Sequence, residues 1–251
     1  MFRDADQAIL VDDGAATLSI YDYLLRPSSC MLPVKLFDCS AERLREVNQI
    51  KLQLGMLIRP RQVKIFSVFN FADSTPGRHQ FRLLKNALGC PSTPGNYWHF
   101  IGSPVVEKNI ASAPEYDAVL VDAIESRQHQ GQAVYIAHRA ENLADKYDKL
   151  VALGFKVIRS EQPYELLLLQ QPDYPASVVS FHSTCLFNLA VIFGDNIEKI
   201  CYQLCDSTLR QLKQLYIMQN QYSVYQHIDS IYQRLPDFNI VARQLTYQEP
   251  A

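Results

Sequence analysis

The 251-residue chain is 48% hydrophobic and 20% charged, with a formal net charge of −2. That balance fits a globular protein with a sizeable core and excludes the disordered and fibrous classes. No global basic field is present to draw a nucleic-acid partner, so none is expected.

The six cysteines (Cys30, Cys39, Cys90, Cys185, Cys201 and Cys205) include no CxxC pair. The CxxxC of Cys201 and Cys205 has no second ligand pair at zinc-site spacing, so buried reduced thiols are expected and a metal site is not. Acids at Asp4 and Asp6 stand where a secretion signal would carry basic residues. The longest apolar run, residues 184–193, contains Asn188 and falls short of the roughly 20 residues needed to span a bilayer. A cytoplasmic protein is expected, with membrane attachment, if any, peripheral.

In chain order, Ala8-Ile9-Leu10-Val11 is a compact apolar strand that stops at Asp12-Asp13-Gly14. Residues 41–57 carry Leu44, Val47, Ile50, Leu54 and Leu57 at helical spacing, and residues 63–69 alternate like a half-buried strand. The breaker cluster at residues 90–96 reads as a hinge or linker. Beyond it the order becomes regular. Strands are expected at 97–104, 134–136, 154–158 and 177–181, with helices at 115–127, 140–153 and 163–170, and another opening at Ser183-Thr184. Strands alternating with helices mean βαβ units and a parallel sheet. Residues 207–235 read as long helical structure. The expected domains are 1–94, an N-terminal portion with linker; 95–205, a Rossmann-like nucleotide-binding domain; and 206–251, C-terminal helices.

Four features fall at strand ends or strand-to-helix turns: Asp12-Asp13-Gly14, His138, Pro163-Tyr164-Glu165 and Ser183-Thr184. In open α/β sheets ligands bind at such places. Each has a plainer reading beside the functional one: an aspartate-glycine turn, a histidine satisfied by a backbone carbonyl, a first-turn acid favoured by the helix dipole, and an N-cap.

Taken together, these residues resemble the bacterial sialyltransferases of glycosyltransferase family 52 and the related capsular polysialyltransferases, which have the two-domain GT-B architecture. Those families carry an acidic D/E-D/E-G motif, a His-Pro motif and a Ser-Ser/Thr motif. Here they correspond to Asp12-Asp13-Gly14, His138-Arg139 and Ser183-Thr184, in the same order and at similar spacing. Arginine stands where the family has proline after the histidine. The resemblance covers residues 97–194 well, extends to the acidic motif, and is poor between 27 and 95. It implies a GT-B-like α/β fold whose first domain is truncated or reduced, because most of the family's N-terminal domain would lie before Met1.

The resemblance further implies transfer of sialic acid from CMP-sialic acid to a glycan hydroxyl in surface polysaccharide or lipooligosaccharide synthesis, without metal or cofactor. Asp13, ahead of Asp12, would take the acceptor's proton. His138, if protonated, would hydrogen-bond to the departing phosphate as acid or electrostatic stabiliser. Ser183 and Thr184 would offer donors at a helix N-terminus, and Glu165 would accept from the ribose or the cytosine amino group. Arg139 would join the CMP site, and Gly102 would let the backbone approach the nucleotide. His79, His99, His129 and His227 read as surface or core residues. His182 would point away from the site if strand alternation runs through it. Two other readings stay open: a GT-B transferase using a different activated sugar, and a non-catalytic nucleotide-binding fragment or interaction module.

Overall fold

A computed structural model describes residues 7–11, 14, 17–18, 45–46, 49–50, 53, 62–69, 71, 89–219 and 224–245. Two strands near the N-terminus, β1 (Gln7–Val11) and β2 (Gln62–Phe66), pair in parallel as a separate ribbon. Six further strands form one wholly parallel sheet: β3 (Tyr97–Ile101), β4 (Gln132–Ala137), β5 (Lys156–Arg159), β6 (Ser177–Ser180), β7 (Glu198–Gln203) and β8 (Val241–Gln244). Their spatial order is β5-β4-β3-β6-β7-β8. This is the doubly wound, Rossmann-like order, in which the chain builds outward from β3 in one direction and then resumes beside β3 at β6.

The central strands are buried on both faces, and for that reason they read as near-continuous apolar runs rather than strict alternation. Side chains still alternate between two cores. Trp98, Phe100, Tyr135, Val179, Phe181 and Tyr202 enter one core with the helices α1 (Ala113–Glu125) and α2 (Leu143–Ala152). Ile101, Val134, Ile136, Val178 and Cys201 enter the other with α3 (Tyr164–Leu169) and α4 (Cys185–Phe193). Leu18, Ile65, Val68, Phe69 and Phe71 join this second core, and the Phe69 ring packs edge-on against Phe187 at 5.0 Å. The N-terminal ribbon is thereby seated on the α3–α4 side of the sheet.

The expected βαβ order holds from residue 97 to residue 193, with ends displaced by one to three residues. The helix expected from residue 140 begins at Leu143, because residues 138–142 form a turn. The long helix expected over 207–235 is instead two, α5 (Asp206–Gln219) and α6 (Val224–Arg234). Two strands were not foreseen, β7 and β8, and β8 means that the segment past residue 205 contributes to the sheet as well as packing helices on it. Ile50, one of the residues at helical spacing in 41–57, is 50% exposed. The breaker cluster at 90–96 is pinned rather than free: Gly95 N–H donates to the Tyr174 carbonyl at 2.7 Å, and Tyr174 N–H to that of Thr93 at 3.0 Å. Among the described residues no helix is long and apolar enough to cross a membrane.

Candidate functional site

The strand order reverses between β3 and β6, and in doubly wound sheets ligands bind in a crevice at the carboxyl ends of the strands at such a point. β3 leads there into Gly102 and Ser103, β6 into Phe181, His182 and Ser183, and the neighbouring β4 into His138. Phe181 is fully buried and stacks on Tyr116 with ring centroids 5.3 Å apart, which anchors the β6 end.

His138 is exposed at the start of a tight turn. Its Nδ1 accepts the backbone N–H of Ala140 at 3.1 Å, which assigns the ring proton of the neutral imidazole to Nε2. Partial burial lowers its pKa below the ordinary histidine value, and the charges of Arg139 and Lys108 add to this against the opposing pull of Glu141. Burial therefore works against the protonated form on which one reading of His138 depends. Near neutral pH this side chain is an uncharged Nε2–H donor.

Beneath it lies a buried network that the sequence reading missed. Glu141 is buried and reaches back to accept the backbone N–H of His138 at 2.7 Å, as the glutamate of a capping box does. Its other oxygen accepts from the Tyr135 hydroxyl at 2.7 Å, from Tyr116 at 3.3 Å and from Lys146 Nζ at 2.9 Å. Lys146 also pairs with Glu107 at 2.8 Å. Burial, reinforced by the nearby carboxylate, holds both tyrosines well above the ordinary phenol range, so they remain donors. The His-Arg-Ala-Glu spacing was the available signal, since an acid three residues after a turn position can close back on it. Gly102 belongs to this network: a Cβ there would stand 2.0 Å from Glu141 Oε2. Its lack of a side chain makes room for a carboxylate of the protein itself, which accounts for the glycine without a nucleotide.

On the other side of the crevice, Ser183 Oγ accepts the Cys185 N–H at 3.3 Å, whereas the Thr184 side chain makes no capping bond to α4. Gly14 has φ +68°, a conformation that suits glycine, and a Cβ on it would meet Thr184 Cγ2 at 2.9 Å. The residue that follows Asp13 in sequence thus stands against Thr184; Asp12 and Asp13 themselves lie outside the described residues. Glu165 is part-buried on α3 and accepts from Asn188 Nδ2 of α4 at 2.5 Å. It lies close enough to Cys185 that its charge, after burial, helps push that thiol up to about 12. Gly14, Glu165, Ser183 and Thr184 therefore gather at the start of α4. His138 and Arg139 stand at the end of β4, and Lys108, on the loop after β3, influences both His138 and His182. Arg139 is exposed, and its carbonyl accepts from Arg159.

Of the scattered histidines, His99 is buried with Nδ1 2.8 Å from the Tyr164 hydroxyl, and His129 is exposed; His79 lies outside the described residues. No group of three or more His, Cys, Asp or Glu side chains among the described residues is arranged to hold a metal. No family model matches the chain, and no curated protein does.

Proposed function

We propose that the chain transfers sialic acid from CMP-sialic acid to a sugar hydroxyl of a bacterial surface glycan, with CMP held in the crevice between β3 and β6. The observation that carries this reading is the approach of Gly14 to Thr184. Gly14, the residue after the acidic pair in sequence, meets Thr184, 170 positions further on, at the carboxyl end of β6 in a Rossmann-like sheet, where such sheets bind ligands.

In this scheme Asp13 takes the proton from the acceptor hydroxyl as its oxygen bonds to the anomeric carbon, and the bond from that carbon to the CMP phosphate breaks. His138 donates its Nε2–H to the departing phosphate as a neutral hydrogen-bond donor. The charge there is met by Arg139 and Lys108 rather than by an imidazolium. Thr184 and Ser183 supply hydroxyl donors at the same phosphate, and Glu165 takes the cytidine hydroxyls. The scheme asks for no metal or cofactor. Peripheral association with the inner membrane would suit a membrane-linked acceptor.

Calorimetry with CMP, followed by CMP release from CMP-sialic acid in the presence of galactoside and sialoside acceptors, tests the reading. Binding with turnover, abolished in a folded His138→Ala variant, is the expected result. An unaltered rate in that variant removes His138 from the mechanism. Turnover only with another activated sugar replaces the donor, and CMP binding without turnover on any acceptor makes the chain a nucleotide-binding module.

A further inference from the structure

His182 stands two residues past the end of β6, on the sheet's carboxyl side where the strand order reverses, and one residue before Ser183. It is fixed there on both sides. Phe181 is locked in the core, and the Ser183 N–H closes a tight turn on the Phe181 carbonyl at 2.5 Å. The Nδ1 atom of His182 is sealed from solvent and has no hydrogen-bond partner among the described residues. Buried polar atoms of native proteins are nearly always paired, and one that is not calls for a reason. The charged or chargeable groups that act on this ring are Lys108, on the loop after β3, and His227, on α6. Both work against its protonation, and together with burial they hold it down to about 3. His227 is itself held down to about 4 and is uncharged near neutral pH, so Lys108 is the cation beside this ring; a neighbouring cation disfavours a second one and favours an anion.

Resting on the reading of the crevice as the ligand site, we propose that His182 binds a phosphate oxygen of the ligand through Nδ1–H, with Lys108 supplying the neighbouring positive charge. His138 and His182 then hold the phosphate from the ends of β4 and β6, the two strands that flank β3, with Thr184 between the latter and the N-terminal turn. The neutral ring needs only to carry its proton on Nδ1, and no proton need be taken from solvent. The role is one of binding, and it extends to any ligand that presents a phosphate monoester, phosphodiester or pyrophosphate group.

The test compares wild type with His182→Leu, His182→Asn and Lys108→Gln, using CMP, inorganic pyrophosphate and phosphate-free cytidine as calorimetric probes. Asparagine sets an amide N–H close to where Nδ1 stands, whereas leucine fills the volume and offers no donor. The expected result is a loss of about tenfold or more in affinity for CMP and pyrophosphate in His182→Leu. His182→Asn retains most of that affinity, Lys108→Gln weakens it with a reduced salt dependence, and cytidine is indifferent to all three. A folded His182→Leu variant that binds CMP and pyrophosphate as wild type does overturns the inference, and so does His182→Asn failing as badly as leucine. Wild-type protein that binds pyrophosphate through His182 but does not bind CMP keeps the inference and retires the CMP reading; binding neither retires both.

Discussion

The carboxylate of Glu141 occupies the space that a side chain on residue 102 would need: a Cβ on Gly102 would lie 2.0 Å from Glu141 Oε2 and 2.7 Å from the Tyr135 hydroxyl. The end of β3 and the His138 turn are thereby interlocked. Gly102→Ala forces the carboxylate or the backbone aside, and overpacking of this kind costs about 1–3 kcal/mol. Glu141→Ala leaves the His138 N–H without its acceptor and takes one partner from the Tyr116–Tyr135 hydroxyl pair and one from Lys146, which keeps Glu107, and it also vacates the space that the methyl group of Gly102→Ala would need. Urea unfolding of the two single variants and the double variant should therefore show a double-variant cost well below the sum of the two. Additive costs would mean that the two positions do not compete for one space.

A second brace joins α1 to the far end of the sheet. Glu115 is buried at the first turn of α1, and its two oxygens accept from the Cys205 N–H at 2.7 Å and the Thr208 hydroxyl at 2.8 Å. Glu115→Ala leaves a buried backbone donor unpaired and is expected to cost about 1–3 kcal/mol. Glu115→Gln keeps an acceptor oxygen and is expected to cost less. The same unfolding measurement checks the order, and equal losses would show that the contact to Cys205 and Thr208 contributes nothing beyond packing.

The βαβ order was legible in the sequence because buried parallel strands concentrate β-branched and aromatic residues, as in Val134-Tyr135-Ile136 and Val178-Val179. β7 escaped because it opens with Glu198 and Lys199. Lys199 is nevertheless buried, donating from Nζ to the carbonyls of Gly194 at 2.5 Å and Ile197 at 2.9 Å. Those partners come from a turn whose geometry no linear pattern displays. β8, Val241–Gln244, is an edge strand with mostly exposed side chains, so it lacks the apolar run that marks the others. At the site, His138 and Ser183-Thr184 were visible because strand-end position follows from the element order alone. The Glu141 network was hidden because Tyr116, Tyr135 and Glu141 come from a helix, a strand and a turn, and only the folded chain brings them together.

Thiol chemistry offers a cheap check of the core on the α3–α4 side of the sheet. Burial pushes Cys201, on β7, up to about 12, and burial together with Glu165 does the same for Cys185, at the start of α4. At pH 8 only about one thiol in ten thousand is then ionised at either position, and the thiolate is the reactive form. Iodoacetamide should leave both unmodified in the folded protein and label both in urea, as read by peptide mass mapping. Rapid labelling of Cys201 in the folded protein would contradict the packing of β7.

Acid should unfold this protein earlier than its carboxylates alone would. Burial lowers His99 to about 4 and His227 to about 4, with Lys108 contributing at the latter. A histidine in an unfolded chain titrates near 6.5, so the unfolded state binds protons that the folded state refuses. Stability from these groups is complete above the unfolded value and is lost as pH falls from about 6.5 towards about 4. Each histidine contributes a slope of about 1.4 kcal/mol per pH unit across that window. His99→Asn isolates one of them, because the asparagine amide can replace Nδ1 against the Tyr164 hydroxyl without titrating. Unfolding free energies measured between pH 7 and pH 4.5 should fall less steeply in His99→Asn than in wild type, by close to one proton. Parallel curves would show that His99 is already protonated in the folded protein, which its burial beside Tyr164 does not allow.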